Sequence, residues 1–129
     1  MFDWKKPTVQ MLGRWQPWHN GHQELFKRCI AKTGQVIIQV RDVQGASGGD
    51  GQDDNPFDWD AVCRNIEDGL IKDGFKRGFE YEIMLVPNIV NITYGRGVGY
   101  TFDEEVFDKS ITEISATKIR KQLREEGKL

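Results

Sequence analysis

The chain has 129 residues, about one domain's length, with 38% hydrophobic and 29% charged residues, a composition that folds without disulfide or metal staples. Eighteen Lys and Arg stand against twenty Asp and Glu, a net charge of −2, so there is no basic excess with which to grip nucleic-acid phosphates. No run approaches the ~18 apolar residues of a membrane span. The first seven residues lack the apolar stretch of a signal peptide. Cys29 and Cys63 lie inside apolar helical patterns, which fits a reduced cytoplasmic setting better than a disulfide framework. Residues 1–129 therefore read as one cytoplasmic domain.

In chain order, Thr8–Leu12 is a short apolar run ended by Gly13, the mark of a buried strand. A proline-containing loop, Arg14–Trp18, leads to a helix with Asn20 as N-cap and Gln23 at capping-box spacing. Leu25, Phe26, Cys29 and Ile30 share one face of that helix, which Gly34 closes, and Val36–Val40 is a second strand. Two buried strands joined by a helix make a parallel βαβ unit. Asp42–Asn55 is glycine-rich and aperiodic, either a lid or a plain surface connection. Val62, Ile66 and Leu70 recur every four residues in a helix from Asp58 to near Gly74, and Tyr81–Val86 is a third strand stopped by Pro87. Ile89–Tyr94 reads as a further short strand before a turn at Gly95, Gly97 and Gly99. Ser115 caps a last helix running to about Glu126, with Ile114 and Ile119 at hydrophobic-staple spacing. The order β-α-β-α-β-β-α predicts a single three-layer α/β domain with a mainly parallel sheet.

Two helix starts carry unusual chemistry. The chain has only two histidines, and both open the first helix as His19-Asn20-Gly21-His22. A helix N-terminus offers backbone N–H groups and partial positive charge to an anion. Gly21 would let an anion approach that backbone closely, and the imidazoles would donate to its oxygens. Taken alone, the pair reads equally well as a surface feature, while a zinc site lacks a ligand-spaced cysteine pair. The last helix carries Lys118 and Arg120 at its beginning and Glu125 and Glu126 near its end. That order opposes the helix dipole unless an anion sits at the N-terminus. Ser115 and Thr117 add hydroxyls at the same end; the alternative is simply an exposed, charged helix.

Together, Gly13-Arg14-Trp15-Gln16-Pro17-Trp18-His19-Asn20-Gly21-His22 and Ile114-Ser115-Ala116-Thr117-Lys118-Ile119-Arg120 resemble the two signature motifs of the HxGH nucleotidylyltransferase superfamily. That superfamily includes cytidylyltransferases and nicotinamide-mononucleotide adenylyltransferases. Trp15 and Trp18 stand where the family has phenylalanines, Ala116 is a soft departure in the second motif, and Asn55-Pro56-Phe57 looks like a recurrent family segment.

The resemblance implies a Rossmann-like domain that joins an NTP to a phosphate- or phosphonate-bearing acceptor by direct in-line attack and releases pyrophosphate. It implies catalytic roles for His19, His22 and Arg120. It places Gly13, Arg14, Trp15, Gln16, Gly21, Ser115, Ala116 and Thr117 around the nucleotide, with Mg²⁺ carried on the triphosphate and no metal ligands from the protein. Trp15 and Trp18 would serve equally as packing residues. Arg41 (beside Asp42) and Arg96 are the weaker candidates for substrate contact; an ordinary strand-end ion pair and a plain turn are their alternatives. The length and second motif lean slightly to CTP, the first motif to ATP and nicotinamide mononucleotide. Family members are often homodimers. From other classes, a nucleotide-binding module without turnover would keep the pocket, and a flavodoxin-like interaction domain would leave both helix-end anomalies unexplained.

Overall fold

Parallel strands set the frame of the computed structural model, which describes residues 1–43 and 55–129. Strands β1 (Val9–Gly13), β2 (Val36–Arg41) and β3 (Tyr81–Val86) form one sheet in the order β1-β2-β3. Val9 lies opposite Val36, and Val36 opposite Tyr81. Helix α1 (Asn20–Thr33) joins the first two strands, and α2 (Trp59–Ile71) precedes the third. A single turn, α3 (Lys109–Thr112), and α4 (Ala116–Glu125) complete the described elements. The glycine-rich stretch read as a lid or surface connection lies, for residues 44–54, outside the described residues.

Periodicity explains what is buried. Val36, Ile38 and Val40 of the central strand are fully buried. They meet Phe26 and Cys29 of α1 and Val62, Ile66 and Leu70 of α2 in one core, each large side chain contributing about 1.5–3 kcal/mol. Phe26 packs edge-on to Phe75 and Tyr81. The two helices lie against each other. A Cβ on Gly69 would come within 2.8 Å of the Trp18 ring, so glycine is what permits that approach. The opposite sheet face carries Gln10, Gln39 and Glu82, with a Gln10–Gln39 side-chain hydrogen bond. Among the described residues, then, the α/β class and the parallel sheet stand, with α1 and α2 gathered on one face.

One expectation needs correction. Ile89–Tyr94 is not a strand: Val90 and Ile92 are exposed, and the Ile89 N–H donates to the Pro87 carbonyl at 2.7 Å. That tight turn follows directly after β3, and the alternating apolar residues beyond it join no strand among the described residues. The strand order also shows no reversal among the described strands, so the sheet alone builds no switch-point crevice of the kind open α/β sheets use. The loop after β1 nevertheless leaves from the carboxyl edge of the sheet, as does Arg41 at the end of β2.

Candidate active site

The loop between β1 and α1 is held on every side. Trp15 adopts a left-handed backbone (φ 54°), a conformation that bulky residues keep only where surrounding contacts enforce it. Its buried indole donates to the Gln39 carbonyl at 3.1 Å and fills the space beside Gly13, where a Cβ would meet the ring at 2.9 Å. The Trp18 indole donates to Gln23 Oε1 at 2.8 Å, and Gln23 Nε2 donates in turn to the Gly69 carbonyl and Asp73. Both tryptophans are buried core residues. The Gln16–Pro17 peptide is cis.

The helix cap falls one residue earlier than the sequence suggested. His19, not Asn20, is the N-cap of α1, and the reciprocal partner is His22. The Gly21 N–H donates to His19 Nδ1 at 3.0 Å, and the His19 N–H donates to His22 Nδ1 at 3.2 Å. Capping-box logic by oxygen-bearing side chains pointed to Asn20; an imidazole nitrogen accepts just as well. A Cβ on Gly21 would lie 2.8 Å from His19 Cε1, so its bare backbone makes room for the imidazole.

This arrangement fixes the chemistry of both rings. With each Nδ1 accepting a backbone proton, the proton of each neutral imidazole sits on Nε2. The rings stack with centroids 3.6 Å apart, and Trp15 stands edge-on to His22 at 4.7 Å. Burial pushes the His19 pKa down, and burial together with the neighbouring His19 charge takes His22 to about 3. At neutral pH the pair therefore offers two adjacent, uncharged Nε2–H donors. Neither α1 nor α4 has an acid in its first turn, which leaves both helix starts hospitable to an anion.

The second motif meets the first through one side chain. Arg120 is only 2% exposed; its Nη1 donates to the Gln16 carbonyl at 2.5 Å and its Nη2 to Thr117 Oγ1 at 3.3 Å. It stands beneath the site, spanning residues far apart in sequence. Ser115 caps α4, its hydroxyl accepting from the Lys118 N–H at 3.4 Å, and Ala116 is the first helical residue after it. The α3 turn packs at the start of α1, with the Ile111 carbonyl 3.8 Å from where a Gly21 Cβ would stand.

The other predicted residues lie at varying remove. Arg14 Nη1 donates to Asn55 Oδ1 at 3.1 Å. Gln16 is buried against Phe57. Arg41 donates to Asn88 Oδ1 at 2.8 Å, tying together the ends of β2 and the segment after β3. Arg96 sits in an exposed turn, in a segment where Tyr94 stacks on Phe102. Missed altogether was a groove of about 610 Å³ lined by Trp18, His19, Asn20 and Phe57 together with Asn65 of α2 and Lys72 just after it. No motif signals those two positions, because packing of α2 against α1 creates the groove. Among the described residues, no helix is long and apolar enough to cross a membrane.

The first loop of this parallel α/β domain thus presents a capped histidine pair and is tied to α4 through Arg120. No family model matches the chain. It is similar to the nicotinamide-nucleotide adenylyltransferase of Methanococcus aeolicus, 27% identical over 137 aligned positions that cover 88% of this chain and 75% of the relative. A shorter stretch of 34 residues, 26% of this chain and 20% of the relative, is 38% identical to the nicotinamide-nucleotide adenylyltransferase of Methanococcus maripaludis. Both relatives carry the name nicotinamide-nucleotide adenylyltransferase, one of the activities within the superfamily that the two motifs resemble.

Proposed function

We propose that the protein is an adenylyltransferase that moves the AMP group of ATP onto the phosphate of nicotinamide mononucleotide. A phosphate oxygen of the acceptor attacks the α-phosphorus, the bond from that phosphorus to the β-phosphate bridging oxygen breaks, and pyrophosphate leaves. No covalent enzyme intermediate forms. The names of the relatives favour ATP over CTP, and a mononucleotide acceptor over a phosphonate.

The observation that carries this reading is the paired capping of His19 and His22, which turns both Nε2–H groups into fixed, neutral donors. Such donors suit an α-phosphate whose oxygens gain charge in the transition state, and fixed donors avoid reorganisation during reaction. Ser115, Ala116, Thr117 and the start of α4 hold the β- and γ-phosphates, while Arg120 adds positive charge from below and keeps the two motif segments together. Arg14 borders the nucleotide, and Arg41 and Arg96 face the acceptor side. Mg²⁺, when bound, neutralises triphosphate charge; the N–H and O–H donors here fit the phosphate oxygens around it. The protein acts on small molecules, as a homodimer in the cytoplasm.

The test is pyrophosphate release with ATP, CTP, GTP or UTP, each with Mg²⁺ and nicotinamide mononucleotide, with the dinucleotide identified by mass. ATP alone should give the dinucleotide. Silence from all four in the presence of a folded chain would overturn the proposal in favour of a binding module without turnover.

A further inference from the structure

Gln16 lies three residues before His19, in the loop that must deliver both imidazoles, and it is 2% exposed. Its side chain reaches across to the segment just ahead of α2. Gln16 Nε2 donates to the Phe57 carbonyl at 2.9 Å, and Gln16 Oε1 accepts from the Phe57 N–H at 2.9 Å. The amide therefore does what a neighbouring strand would do, satisfying both backbone groups of one residue. Two positions earlier in each segment, Arg14 Nη1 donates to Asn55 Oδ1 at 3.1 Å, a second rung of the same ladder. The main-chain carbonyl of Gln16 accepts from Arg120. Gln16 is thus the residue where the first-motif loop, the approach to α2 and the start of α4 are joined.

We propose that Gln16 is a positioning residue for the histidine pair, acting through Phe57 and not through the nucleotide. This rests on the catalytic reading of His19 and His22 given above. Among uncharged side chains of this length, only glutamine both donates and accepts at its tip. Methionine fills a similar volume yet leaves both Phe57 groups without their partner. The left-handed Trp15 next to it is held by its surroundings, so loss of the clamp frees a strained loop to relax. A group held in reacting geometry loses about a hundredfold in rate for a displacement near 1 Å.

Three measurements on the full chain test this. In the wild type, the Phe57 amide should exchange with solvent as slowly as amides of β2, although it lies outside any helix or strand; exchange as fast as in the exposed turn at Gly97 would overturn the proposal, whatever the variants do. In Gln16→Met, kcat should fall about tenfold to a hundredfold while KM for ATP changes less than about threefold, the pattern of lost positioning. A Gln16→Met enzyme with wild-type kcat, or with KM alone raised, would refute it. The chain has only two histidines, so their ring-proton titrations are resolvable by NMR. Both midpoints should move upward in Gln16→Met as the loop loosens, and unchanged midpoints would count against the clamp. If the wild type turns over no nucleotide, the catalytic proposal fails, while exchange at Phe57 and the histidine titrations still decide the role of Gln16.

Discussion

Replacing Gly21 with alanine separates the stability of α1 from the geometry of its histidines. The added Cβ would stand 2.8 Å from His19 Cε1 and 3.0 Å from His19 Nδ1, whereas carbon atoms rest about 3.5 Å or more apart. The ring must therefore retreat by roughly 0.7 Å, which breaks its bond to the Gly21 N–H. Loss of a cap costs about 1 kcal/mol. Alanine returns up to about 1 kcal/mol of helix propensity, less in a first turn. Stability by urea unfolding should thus change by no more than about 1 kcal/mol. Catalysis should suffer far more, because a displacement of that size lowers kcat about tenfold to a hundredfold. Pyrophosphate release at saturating ATP and acceptor measures this directly. A Gly21→Ala enzyme with kcat within about twofold of wild type would refute the idea that the His19 position matters to the reaction.

Three further outcomes are expected. Gly69→Ala should destabilise the fold by about 1–2 kcal/mol despite better helix propensity, because the new Cβ meets the buried, hydrogen-bonded Trp18 ring at 2.8 Å; equal or higher urea stability would contradict that packing. The His22 pKa is held down at about 3 against an unfolded value near 6.5, so the unfolded chain takes up this proton first as pH falls. Its contribution to stability is complete above about pH 6.5 and is lost as pH falls toward 3, with a slope of up to about 1.4 kcal/mol per pH unit. His22→Gln should flatten a urea-stability profile over that window, and an unchanged slope would show that His22 titrates normally. Arg120→Met should cost about 1–3 kcal/mol by leaving the buried Gln16 carbonyl without its donor, as read by urea unfolding. A neutral result would mean that the contact between the two motif segments carries little energy.

Paired capping also bears on how such a site tolerates neutral pH. A protonated imidazole at either position would need its Nδ1 as a donor, in conflict with the backbone N–H that already points there. Charging a ring therefore dismantles the start of α1 as well as entering a buried space. The histidines are kept neutral by hydrogen-bond geometry and desolvation together.

Local chemistry determined a good deal of this protein from sequence alone. Val36–Val40 and Tyr81–Val86 are strands because short runs rich in β-branched and other apolar residues bury well in a parallel sheet, and both appear where their residues predicted. Ser115 caps α4 because a hydroxyl before a periodic run has one favourable partner, a nearby N–H. The histidine motif and its likeness to nucleotidylyltransferases were legible for the same reason, since they rest on neighbouring residues of unusual type. What depended on distant partners was not. Ile89–Tyr94 has a strand's alternation but follows a tight turn and pairs with no described strand. His19 became the cap in place of Asn20 because a stacked His22 and a bare Gly21 made room for its ring. Gln16 reads from its motif as a neighbour of the nucleotide and Arg120 as a catalytic residue; the hydrogen bonds to Phe57, to the Gln16 carbonyl and to Thr117 are what the sequence did not signal. A side chain's chemical type is written in the sequence, but which donor or acceptor it satisfies depends on what folding brings within about 3 Å.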